Sequence, residues 1–162
     1  MNPRRILGAI ALFAIPVVSI SLVSISRGAS PTGDEPVAMQ RLTPGEIVAA
    51  AAKTPPSATG IQMTPLIGDP SKPGLYTVRV AIAAHTQAQP HTHRDNRSVT
   101  VISGAWRMGY GAQFDAKALK EMPTGSVYTE PAGQPHFAQT ADEPVVILVT
   151  GYGPSDTQFV KN

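Results

Sequence analysis

Two stretches decide how this chain folds: residues 85–104, HTQAQPHTHRDNRSVTVISG, and residues 125–140, GSVYTEPAGQPHFAQT. In an extended backbone alternate side chains share a face, so His91 and His93 point the same way and Thr92 points the other way. The alternation continues through 97–102 and stops at Ser103-Gly104, which reads as a strand ended by a turn. In the second stretch a strand leads to Glu130, and Pro131-Ala132-Gly133 then makes a tight turn. That turn fixes where His136 enters the next segment. A third imidazole delivered from a neighbouring strand would complete a facial set of nitrogens around one ion.

Working outward, the chain is punctuated like an all-β protein. Residues 75–83 alternate, with Tyr76, Val78, Val80 and Ile82 on one face and Thr77 and Arg79 on the other. Further strands are expected at 97–102, 105–108, 125–130, 136–139 and 145–150, each bounded by Gly, Pro, Asp or Asn. Short strands at this spacing predict a sandwich or barrel. Residues 145–149 are unbroken apolar, which predicts a strand covered on both sides. One helical interruption is expected at 115–122, where Ala116, Leu119 and Met122 share a face. Ahead of the strands, Thr43-Pro44-Gly45-Glu46 has the form of a capping box with Pro at the first helical position, so a short helix begins there. Thr54-Pro55-Pro56 ends it.

Composition narrows the partners. Of 162 residues 42% are hydrophobic and 15% charged, enough for one packed core, and 16 Pro with 14 Gly favour turns over helices. The net charge of +2 arises at the N-terminus, since 13 Lys+Arg less Arg4 and Arg5 leaves eleven, against 11 Asp+Glu. The body is neutral and carries no basic stripe interleaved with aromatics, so nucleic acid is not an expected partner. Cysteine is absent, which removes thiol nucleophiles, thiolate metal sites and disulfides together.

Residues 1–30 begin Met-Asn-Pro-Arg-Arg, run apolar from 6 to 25, and close on Ser26-Arg27-Gly28-Ala29-Ser30. A basic start before an apolar run is the pattern of an export signal, cleaved or retained as a membrane anchor. The expected organisation is a signal or anchor over 1–30, a linker and short helix over 31–60, and a barrel over 61–162. The protein is expected outside the cytoplasm, periplasmic, secreted or anchored.

The two blocks together resemble the cupin family. Its first motif has Gly, five residues, His-x-His, three or four residues, Glu, six residues and Gly; here the pair is His91 and His93 and the closing Gly is Gly104. Its second motif has Gly, five residues, Pro-x-Gly, two residues, His, three residues and Asn. Here Gly125, Pro131, Gly133 and His136 fall in register, with Thr140 where Asn is usual. The resemblance implies a double-stranded β-helix, the jelly-roll-like barrel also called RmlC-like. It further implies a metal held by His91, His93 and His136, a small-molecule ligand or substrate, and a homodimer formed through exposed edge strands. The divalent ion implied is Fe, Mn, Zn or Ni.

Two positions depart from the pattern. His85 stands at the opening Gly, and Arg97 stands where the family's fourth ligand, Glu, belongs. A guanidinium has no free lone pair and repels a divalent ion. Asp95, on the same strand parity as the histidines, could supply the carboxylate, or water or substrate could take the fourth position. In a third reading the metal is gone and Arg97, with the histidines, binds a small anionic ligand by a bidentate pair, Asp95 lying beside it in the ligand site. The bland reading of Arg97 is a salt bridge to Asp95. Tyr128 and Glu130, just before the second block, could line the pocket, with Glu130 as a proton carrier. Two functions follow: a metal-dependent enzyme of dioxygenase, isomerase or hydrolase type acting on a small oxygen-bearing molecule, or a non-catalytic anion-binding or sensing barrel.

Overall fold

The structure, a computed structural model, describes residues 37–55 and 57–161. The expected export segment at 1–30 lies outside the described residues, among which no helix is long and apolar enough to cross a membrane.

Among the described residues ten strands form two five-stranded antiparallel sheets. One sheet runs β1 (Ile61–Ile67), β2 (Gly74–Ile82), β9 (Val145–Gly153), β4 (Arg97–Ser103), β7 (Val127–Glu130). The other runs β10 (Gln158–Phe159), β3 (Gln87–Thr92), β8 (His136–Gln139), β5 (Ala105–Tyr110), β6 (Lys120–Pro123). Strand β2 shows how the core forms: Tyr76, Val78, Val80 and Ile82 are buried while the residues between them are part-exposed. They meet Val99 and Val101 of β4, and Trp106, Met108 and Ala138 from the other sheet, in a single cluster. Each fully buried aliphatic or aromatic side chain contributes about 1.5–3 kcal/mol of transfer free energy.

Two expectations are corrected. Strand β9 is not covered on both faces: Val145, Ile147 and Val149 are buried, but Val146 and Leu148 alternate with them half-exposed. It is a central strand between β2 and β4, and its outward face is apolar without being enclosed. Residues 115–122 do not form a helix. Asp115 caps a single 3-10 turn, Ala116–Ala118, by accepting from the Lys117 N–H at 2.9 Å, and the chain then enters β6. There Met122 lies opposite Trp106 and is buried, so tertiary pairing overrides a weak helical pattern.

The N-terminal helix α1 (Pro44–Ala52) begins with the expected capping box, Thr43 N–H donating to Glu46 Oε2 at 2.7 Å. It buries none of its residues, and the chain leaving it is tied to β1 by a Thr54–Thr64 hydroxyl pair at 2.9 Å.

The motif positions do local structural work. Gly104, at φ +77, turns β4 into β5 where a Cβ would meet the Pro144 carbonyl at 2.6 Å. His85 takes φ 55, the only positive φ outside glycine among the described residues, and so adopts the backbone conformation expected of the glycine it replaces. Thr140 stands in for Asn by donating to Ala83 O at 2.7 Å and accepting from Thr86 N–H at 2.8 Å, which ties the turn into β3 to the end of β8.

Candidate metal centre

The ladder between β3 and β8 is regular at Gln87 and Ala88, shifts, and resumes with His91 opposite His136. The shift spans Gln89 and Pro90, and Pro90 has no N–H to give the ladder. A bulge of this kind re-aims the next side chain. It brings His91 beside His136 with ring centroids 4.4 Å apart. His93, just beyond β3, completes the group, its ring 4.9 Å from His91 and 5.0 Å from His136. The two motif blocks are stitched together here, since Gly133 N–H donates to His93 O at 2.7 Å and Ala132 N–H to the Asn96 side chain at 2.9 Å.

Each imidazole has its Nδ1 against a backbone carbonyl: His91 on Gln89 O at 2.6 Å, His93 on Asp156 O at 2.6 Å, His136 on Gln134 O at 3.2 Å. A carbonyl only accepts, so these contacts place the proton on Nδ1 and leave a lone pair on Nε2. This is the outer-shell arrangement that orients metal-bound histidines. One ligand nitrogen from each residue lies within 4.8 Å of the others. Ligands sharing an ion at ~2.0–2.1 Å sit about 3–4 Å apart, so small ring rotations close the set. His136 Nε2 is buried without any hydrogen-bond partner, which costs free energy unless a cation satisfies it. Burial pushes the His93 pKa down to about 3, helped by the neighbouring Arg97 guanidinium, and burial lowers His91 and His136 as well. All three are therefore neutral and available as ligands at ordinary pH, and the donor set fits a divalent metal.

Arg97 and Asp95 sit beside this cluster in different positions. Arg97 lines the cavity; Asp95 lies behind it. The guanidinium donates through Nε to Asp95 at 3.4 Å, and through Nη2 to Asp156 O at 3.0 Å and to the Ser155 hydroxyl. Asp95 also accepts from Tyr76 OH at 2.5 Å and from Ser155 Oγ at 2.7 Å. Gly151 makes this possible, because a Cβ there would meet Asp95 Oδ2 at 2.7 Å. The salt bridge between Arg97 and Asp95 is thus present, and the carboxylate facing the histidines belongs to another residue, Glu130. Its Oε2 is 3.5 Å from His93 Nε2, its Oε1 is 3.5 Å from His136 Nε2, and Arg97 Nη1 is 3.7 Å away. The Trp106 indole N–H donates to Tyr128 OH at 2.8 Å, and Tyr128 lines the cavity beside Glu130. Burial raises the Glu130 pKa, while Arg97 acts against that shift.

The cluster lines a cavity of about 400 Å³ between the sheets. Its walls are apolar, formed by Val80, Ile82, Trp106, Met108, Ile147 and Val149. Thr157 and Phe159 also line it: β10 pairs with His91 and Thr92 of β3, and Phe159 lies 6.0 Å from His91.

No family model matches the sequence, and no curated protein does. Solved structures do match. The polyketide cyclase RemF from Streptomyces resistomycificus aligns at TM-score 0.59 and 17% identity, over 77% of this chain and 87% of that one. An RmlC-like cupin from Shewanella frigidimarina aligns at TM-score 0.51 and 16% identity, over 62% and 85%. The chain has the cupin fold. It spans about half of the DMSP lyase chain with which it also aligns, 53%, at TM-score 0.53 and 18% identity over 62% of its own length. Within this cupin barrel the three motif histidines converge as expected, and the motif's carboxylate position is filled by Arg97.

Proposed function

We propose that the cavity is the active site of an exported, metal-dependent cupin enzyme acting on a small molecule with an apolar body and an oxygen-bearing end. The observation that carries this reading is the convergence of three neutral imidazoles, two of them buried, on the wall of a largely apolar cavity, with His136 Nε2 making no hydrogen bond. His91, His93 and His136 would hold the ion, and the Gln89, Asp156 and Gln134 carbonyls would keep their Nε2 lone pairs turned toward it. A divalent ion held there supplies Lewis acidity toward an oxygen of the substrate. The apolar walls take up the substrate body and exclude water from the polar end. Binding of an anion by Arg97 alone has less support, because its guanidinium is already committed to Asp95, Ser155 and Asp156. The test is elemental analysis of protein purified without added metal. Close to one divalent ion per chain is expected, lost in His93→Ala; negligible metal in both proteins overturns the reading.

A further inference from the structure

We propose that Glu130 is the carboxylate ligand of this centre, transposed from β4 to the adjoining strand β7. The proposal rests on the metal reading above and goes beyond it, since Glu130 belongs to neither ligand position of the two motifs. Three observations converge. In the antiparallel ladder Arg97 and Glu130 are direct partners, so the residue filling the motif's Glu position and the carboxylate lie side by side on the inward face. Glu130 is 6% exposed and divides its oxygens between two histidines, at 3.5 Å from each Nε2. Those nitrogens carry lone pairs, because their Nδ1 atoms face carbonyls. Two acceptors therefore face a third on the wall of the cavity. Such an arrangement is repulsive for an ionised carboxylate unless a cation lies between them. A shared ion meets the need, for ligands of one ion lie about 3–4 Å apart.

The exchange also accounts for Arg97. With the carboxylate moved one strand over, a cation in the vacated position balances the charge that Asp95 and Glu130 bring to a buried site. Arg97 is thus a positioning residue, holding Glu130 from one side and the Ser155–Asp156 segment from the other. The site is four-ligand, His91, His93, His136 and Glu130, drawn from both sheets of the barrel.

The experiment uses full-length protein stripped by chelation and titrated with Co²⁺, whose visible absorption reports its ligand set directly. Wild type, Glu130→Gln and Glu130→His are compared for affinity and for spectrum, with circular dichroism confirming the fold of each. Loss of a ligand exceeds the roughly 10–100-fold cost of losing an outer-shell partner. Glu130→Gln is expected to weaken Co²⁺ by at least that factor and to change the spectrum. Glu130→His, which loses the charge but restores a ligand atom, recovers most of the affinity with a nitrogen-shifted spectrum. Should Glu130→Gln misfold, the Glu130→His spectrum alone decides, an unshifted band overturning the proposal. An unchanged spectrum in folded Glu130→Gln overturns it even if affinity falls, because charge alone would then be acting. Wild type that fails to bind Co²⁺ overturns the three-histidine reading and this proposal together. Wild type that binds, with Glu130→Gln indistinguishable from it, removes Glu130 only.

Discussion

Replacing Asp95 by Asn tests whether the buried network behind the histidines holds the barrel together. The substitution keeps shape and volume, so it opens no cavity; it removes the charge and sets an amide NH2 against one of the donors that the carboxylate now accepts from. The side chains of Asp95 and Arg97 are 4% and 9% exposed, so Arg97 would keep its charge in a site nearly closed to water. Neutralising one partner of a buried pair costs about 3–5 kcal/mol. Glu130, 3.7 Å from the guanidinium, still offsets part of that, which places the expected loss near 3 kcal/mol. For a domain of this size the corresponding fall in Tm is about 10–15 °C. Tyr76→Phe is the companion variant. It removes one donor from the same carboxylate, a hydrogen bond to a charged group worth about 1.5–3 kcal/mol, and strands no charge. The assay is thermal unfolding at pH 7 in the presence of chelator, so that bound metal cannot mask the difference. The order of loss must be Asp95→Asn, then Tyr76→Phe, then wild type. An Asp95→Asn protein melting within about 3 °C of wild type, or above Tyr76→Phe, would refute the argument that Asp95 compensates Arg97.

Two further outcomes are expected. The histidines have folded-state pKa values depressed below the ordinary 6.5, with His93 at about 3, so the stability they contribute is present above 6.5 and is lost as pH falls through that window. Urea midpoints of the chelated protein should fall between pH 6.5 and about 3, more steeply in wild type than in His93→Phe; parallel curves would show that His93 contributes nothing. Residues 1–40 fused to a reporter active only outside the cytoplasm should give signal that weakens when Arg4 and Arg5 become Glu, whereas an inactive native fusion would remove the export reading.

The barrel was legible because its signals are short-range and redundant. Alternation in β2, turn residues at each strand end and the spacing of His91, His93 and His136 all point to one architecture. The departures were readable as departures, yet their resolution was not. His85 meets a backbone requirement that residue type alone does not reveal. The pairing of Arg97 with Asp95 was visible as a nearby opposite charge, but its burial and its link to Ser155 depend on a contact 58 residues away in sequence. Glu130 was readable as a pocket-lining proton carrier before a turn, but not as the carboxylate that faces the histidines, because its register opposite Arg97 belongs to the sheet and not to either strand. The helix expected at 115–122 failed for the same reason: Met122 finds its burial opposite Trp106, which a local periodicity cannot see.

The carbonyl that orients His93 belongs to Asp156, 63 residues further along, and β2 finds its partner β9 across a comparable stretch. Pairings this distant in sequence form late and slowly, because loop closure must precede the contacts that reward it. The histidine cluster is therefore unfinished until the last strands have docked, and the capture of an ion becomes part of the closing step of folding. Three imidazoles suit several divalent ions, so the pool of metal around the chain at that moment, more than the donor atoms themselves, would decide which ion it carries.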